Sequence, residues 1–159
     1  MGKVRVLRGR VREYGLDGAL NIIQNDQRFN HGFIVKAFRI SYYDPGDTNA
    51  GSRDCYGVLA THEEAFDSPV VSGRIAWLWD DRRQIAWAST NHIGDSNVEA
   101  LESLIDPTHV IVRDLWVAIS AQNATSTTYW NYYIELEQVD LNDNQAVMAI
   151  IQEEAQDVN

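Results

Sequence analysis

Cysteine is almost missing from this chain. Cys55 is the single one among 159 residues, so no intramolecular disulfide can form. That excludes a disulfide-stapled secreted domain and makes a reducing compartment the expected setting. Long apolar runs are missing too. A membrane-crossing helix needs roughly 18 or more consecutive apolar residues, none occurs, and no membrane partner is expected. The basic start is not followed by the apolar stretch of about 7–15 residues that a signal peptide carries, so none is expected. There is no internal repeat and no low-complexity segment.

Catalytic signatures are equally scarce. The histidines are His31, His62, His92 and His109, and none stands at HxH or HExxH spacing. No GxSxG, phosphate-loop or dinucleotide fingerprint is present. Cys55 and His62 are the only close Cys–His pair, and an odd offset on one straight strand puts them on opposite faces. They read as a buried thiol and a loop-edge imidazole. His62-Glu63-Glu64 reads as a solvated strand end. Asp80-Asp81 and Glu153-Glu154 lie beside turn or helix-end signals and lack the apolar setting that raises a catalytic pKa. The expectation is a protein that is not an enzyme and needs no metal and no cofactor.

Cations are absent after Arg113. They gather instead at the start, where Lys3, Arg5, Arg8, Arg10 and Arg12 stand without a single acid. The whole chain carries −10, so beyond those five charges it carries −15. An acidic body argues against nucleic-acid binding by the whole surface. The basic start has two readings, an edge strand whose arginines face water or another subunit, or a patch touching a polyanion such as nucleic acid or an acidic neighbour. Because affinity for nucleic acid grows with the phosphates neutralised, five charges favour the first.

A hydrophobic fraction of 45% in 159 residues suits one domain with one core. Val and Arg nearly alternate over 3–14, with a parity change that a bulge near Gly9 would reconcile. Residues 15–18 read as a turn, and 19–24 fit either a short strand or a helical turn. A strand over 32–43 would place Ile34, Phe38, Ile40 and Tyr42 on one face, interrupted by Lys36. Residues 44–52 have turn chemistry, and 55–61 form a short strand. Residues 70–79 put Val71, Ile75, Trp77 and Trp79 on one parity, DDRR at 80–83 fits a hairpin connection, and 84–90 return with Ile85 and Trp87 inward. A short helix fits 97–104. Residues 109–121 are apolar on both parities, as a central strand would be.

The cleanest alternation is at 128–139. Trp130, Tyr132, Ile134 and Leu136 point to the core; Tyr129, Asn131, Tyr133, Glu135 and Glu137 point to water. Core packing is the expected place for all five tryptophans, whereas Tyr129 and Tyr133 are candidates for an exposed aromatic contact. A closing helix spans about 143–156, with Asn142 and Gln145 as a capping box and Val147, Ile150, Ile151 and Ala155 as its apolar stripe. The fold expected is all-β, an antiparallel, jelly-roll-like β-sandwich over 1–140 with a basic N-terminal strand or arm at 1–14, then a helix and tail at 141–159. Glu153, Glu154 and Asp157 stand where the helix dipole disfavours acids. They either form a solvated end or meet the basic start, within one subunit or across an interface between copies; the second reading makes Arg5, Arg8, Arg10, Arg12, Glu153 and Glu154 the candidate subunit or polyanion contact.

The segments DPTHVIVRDLWV, TTYWNYYIELEQVD and DNQAVMAIIQEEAQDV resemble structural, capsid-type proteins of small marine bacteriophages. So do NHGFIVKAFRIS, DCYGVLATHEE and WDDRRQIAWAS. More distantly, the chain is similar to single jelly-roll capsid proteins of small single-stranded DNA viruses, which also begin with a basic arm. It departs from them in the shortness of its basic start and in its closing helix, so genome packaging by the arm does not carry over. The resemblance implies a virion component in the virion, and in the host cytoplasm before assembly, partnered by copies of itself and by other virion proteins. A second class to weigh is a carbohydrate- or receptor-binding β-sandwich using exposed tyrosines and loop acids.

Overall fold

A computed structural model describes residues 2–23, 30–44, 53–70, 72–93, 98–121 and 129–156. The strongly alternating segment becomes β8 (Tyr129–Asp140), and its two-sided pairing organises the smaller sheet. On one side lies β1 (Val4–Arg12), on the other β3 (His31–Tyr42), both antiparallel to it. The larger sheet has the order β2 (Leu20–Ile23), β7 (Leu115–Ala121), β4 (Arg53–Ala60), β5 (Gln84–Ile93), β6 (Val98–Ile105). The pairings 1 with 8, 2 with 7 and 4 with 5 are nested in a jelly-roll-like way, but β6 pairs with β5 and not with β3. The result is an antiparallel β-sandwich closed by α2 (Asp143–Gln156). One short helical turn, α1 (Tyr14–Asp17), links β1 to β2 and ends at Gly18 with a positive φ of 72°.

Between the sheets, Phe38, Ile40, Trp130, Ile134 and Leu136 from the smaller sheet meet Leu59, Ile85, Leu115 and Ile119 from the larger. The larger sheet buries its other face as well. There Val58, Ala60, Trp87 and Ala118 are covered by Ala65, Phe66 and Ile75 from the segment between β4 and β5. That two-sided burial is why β7 is apolar on both parities. Gln84 anchors the covering segment. Its Nε2 donates to the Ala65 and Ala76 carbonyls, and its Oε1 accepts from the Leu78 N–H and from Trp87 Nε1.

Several expectations from the sequence need correcting. The pairing of β1 with β8 runs without a bulge at Gly9. Gly9 sits opposite Tyr132, whose hydroxyl oxygen lies 2.7 Å from where a Cβ would stand, so the phenol fills the space instead. The other partner of β8 does carry a bulge, in β3 between Val35 and Ala37. It switches parity there, so Phe33 and Val35 are buried before it, Phe38, Ile40 and Tyr42 after it, and Ile34 leaves that face. Residues 72–79 form no strand beyond one bridge from Asp67 to Ile75, and Val71 is outside the described residues. The turn at 78–84 leads into β5 and does not join two paired strands. The segment read as a helix over 97–104 is β6, because its residues complete the hairpin edge of β5. Residues 109–114 precede β7 outside any strand, with one bridge from Ile111 to Phe33.

Trp130 and Trp87 are buried, but Trp77 and Trp79 are exposed, since the segment that carries them lies outside the sandwich. The helix bounds and its cap are as expected, with Asn142 and Gln145 exchanging hydrogen bonds at 2.9 and 3.1 Å. Its apolar stripe is not the buried one. Ala146 and Glu153 are buried, while Val147 and Ile151 are 55% and 57% exposed.

Candidate functional site

The period of two along β1 puts Arg8, Arg10 and Arg12 on the outer face of the smaller sheet. Register then sets each beside a residue of β8: Arg8 opposite Tyr133, Arg10 opposite Asn131, Arg12 opposite Tyr129. From the other side β3 adds Arg39 opposite Tyr133 and Ser41 opposite Asn131. Tyr133 is thereby flanked by two arginines. The guanidinium carbons of Arg10 and Arg12 lie 5.5 and 5.9 Å from the Tyr129 ring centre, within cation–π range. A shallow groove of about 550 Å³ runs through this face between Arg8, Arg10, Arg39 and Tyr133.

Acids border the face. Asp17 stands 3.5 Å from Arg12, and Glu137 pairs with Lys36 at 3.2 Å one end further along β8. The Tyr133 hydroxyl donates to Glu135 at 2.7 Å. That bond holds its proton and raises its pKa, while Arg39 and Arg8 pull the other way.

Of the residues expected to act together, the structure gathers Arg8, Arg10, Arg12, Tyr129 and Tyr133. Arg5 has the opposite parity, with its guanidinium 5.6 Å over the Phe33 ring. Within the chain the acidic helix end does not meet β1. Arg113 Nη1 lies 3.1 Å from Glu154, and Glu153 Oε1 accepts the Val112 N–H at 3.1 Å. The physical reason is the docking of α2 against residues 109–114, which supplies the cation and the donor locally. Asp157 lies outside the described residues. Arg39 already has the outer parity between Phe38 and Ile40 in the sequence; what the sequence does not carry is that β3 pairs with β8 and sets Arg39 across from Tyr133.

A second feature is a cleft of about 1340 Å³ between α2 and the segment carrying Trp79. Trp79 is 65% exposed at this cleft, yet it is held on two sides. Its ring stacks near Trp77 at 24°, with centres 6.5 Å apart, and meets Trp87 edge-on at 6.3 Å. In the wall, Asp81 and Arg83 form an ion pair at 2.8 Å. Burial works to raise Asp81, but the Arg83 contacts outweigh it and hold the carboxyl low. Asp106 is likewise held low by its hydrogen bonds from Thr108, against the effect of burial. Burial lowers the His109 pKa, with Asp106 opposing, and His109 Nε2 has no hydrogen-bond partner. Burial pushes Glu153 up to about 7, against the Val112 N–H and Arg113.

Cys55 is buried in β4, whereas His62 follows the strand with Nδ1 2.8 Å from the Thr61 hydroxyl. His62 begins a 3-10 turn over Glu63–Ala65, so Glu63 and Glu64 are not a strand end; both are exposed. Among the described residues no three of His, Cys, Asp and Glu converge as a metal site would require. No family model, curated protein or solved structure was found to match the chain.

Proposed function

We propose that this protein is a non-enzymatic structural component of a virion, assembling with copies of itself and with other virion proteins through the outer face of its smaller sheet. The observation that carries the reading is the row Arg8–Tyr133–Arg39, continued by Arg10 and Arg12 against Tyr129. Arginine and tyrosine are the residue types that concentrate binding energy at protein interfaces. The face is basic, and the remainder of the chain is strongly acidic, so a neighbouring copy offers the complementary charge. Such a contact joins two different patches, which closes into rings or shells when the rotation permits. The jelly-roll-like nesting of strands is shared by many viral capsid proteins, and by lectins and cupins too, so the fold lends support only by analogy.

The experiment is light scattering and sedimentation of the parent and of an Arg8→Glu/Arg10→Glu/Arg39→Glu variant at low and high salt. The parent is expected to form large assemblies that weaken as salt screens contacts beyond about 8–10 Å. The variant is expected to stay small at both. Should it assemble like the parent in both conditions, this face is not the contact. Should the variant leave assembly unchanged but lose binding to a labelled oligothymidylate, the face serves a polyanion instead.

A further inference from the structure

The cleft beneath α2 is separate from that face; none of its lining residues belongs to β1, β3 or β8. Its most exposed apolar group is also one of its best-held groups. Trp79 is fixed by Trp77 and Trp87, Trp87 donates its Nε1–H to Gln84, and the same amide binds the backbone N–H of Leu78. A large indole presented to solvent on so rigid a mount costs hydrophobic exposure, but it is a platform that loses little freedom when something stacks on it.

The rest of the cleft narrows what that something is. Three of its carboxylates are engaged internally: Asp81 on Arg83, Asp106 on Thr108, Glu153 on the Val112 N–H. Asp80 and Arg82, both exposed, add one charge of each sign. The other polar groups of the lining are neutral. His109 Nε2 is buried without a partner, and Asn144 and Gln152 line the helical wall. One flat electron-rich face beside uncharged hydrogen-bonding groups suits a molecule that is apolar on one side and hydroxylated at its edge. A net positive wall for an anion is not there.

We propose that this cleft binds a neutral saccharide, with a pyranose ring stacked on Trp79 and a ring hydroxyl hydrogen-bonded to His109 Nε2. Asn144 and Gln152 then meet hydroxyls at the rim. No covalent step is involved, and the site is a receptor for a glycan rather than a glycosidase.

The test uses the full chain. Saturation-transfer NMR and tryptophan fluorescence are measured against methyl glucoside, methyl galactoside, methyl mannoside and N-acetylglucosamine, each titrated to high millimolar concentration. Saturable binding of at least one is expected. Trp79→Ala should abolish it, Trp79→Tyr should retain it, and His109→Phe should weaken it about tenfold, as loss of one hydrogen bond from a desolvated group does. Leu16→Ala, in the exposed turn between β1 and β2 and outside the cleft, should leave it unchanged. Trp79 is exposed, so its variants are expected to fold, and a parent-like far-ultraviolet spectrum checks that. Absence of saturable binding to all four probes overturns the proposal, as does binding that survives Trp79→Ala. If Trp79→Ala instead changes the sedimentation of the protein without any sugar effect, the cleft is an interface between copies and the proposal is wrong.

Discussion

Gln84 is only 2% exposed, and its amide uses all four of its hydrogen-bonding positions on groups of the covering segment and on Trp87. Gln84→Leu keeps the volume and removes every one of those bonds. Two donors and two acceptors are then stranded, each costing about 1–3 kcal/mol where it stays dry. Urea unfolding should register a loss of several kcal/mol, and the fluorescence of Trp77 and Trp79 should shift as their mount loosens. A loss below about 1 kcal/mol would mean that water replaces the amide and that Gln84 is not the anchor. In the sequence this residue is a polar start to an apolar strand, which is the ordinary look of a wet strand end. Its role depends on contacts with residues 65, 76 and 78, which no local pattern encodes.

Among the elements, α2 separates what a sequence discloses from what it conceals. Its bounds and its capping box follow from Asn142, Gln145 and the terminal composition, all local signals. Which face it buries is a tertiary matter. The Val112 N–H faces the helix, and a carboxyl that can accept it turns Glu153 inward, leaving Val147, Met148 and Ile151 outside. Ile151→Gln is therefore expected to change stability by no more than about 0.5 kcal/mol. A loss of about 2–5 kcal/mol in urea unfolding, as for a core aliphatic, would show that something covers the stripe. The same division holds elsewhere. Period-two segments such as β8 were legible because one face is wet, and β1 was legible as an Arg/Val alternation. The composition of the exposed face was half legible: Tyr129, Tyr133 and three arginines lie where parity puts them, but that Arg39 joins them depends on the pairing of β3 with β8. Residues 72–79 were misread because an alternation of Ile and Trp fits a strand equally well when the segment is a cover over a second buried face.

For the whole molecule, the buried Glu153 makes stability depend on pH. Its folded pKa is about 7 and its ordinary value 4.5. Below 4.5 both folded and unfolded chains hold the proton, and the group contributes no slope. Between 4.5 and about 7 the unfolded chain releases the proton while the folded chain keeps it, so rising pH favours unfolding. Above 7 both are ionised and the loss is complete, roughly 3 kcal/mol at about 1.4 kcal/mol per pH unit. The groups facing Glu153 are the Val112 N–H and Arg113, which favour its charge, and Asp114, which opposes it. Other residues titrate in the same experiment. Glu13, also raised by burial, slopes the same way, whereas His109, lowered by burial, gains stability as pH rises toward its ordinary value. The comparison that isolates Glu153 is therefore parent against Glu153→Gln, which keeps an oxygen for the Val112 N–H and has no proton to lose. Urea unfolding at pH 5 and pH 8 should show the variant losing less stability across that interval than the parent. Equal losses would mean that Glu153 finds water on ionising, in which case α2 shifts to let it out and the contact with Val112 is not what fixes the helix.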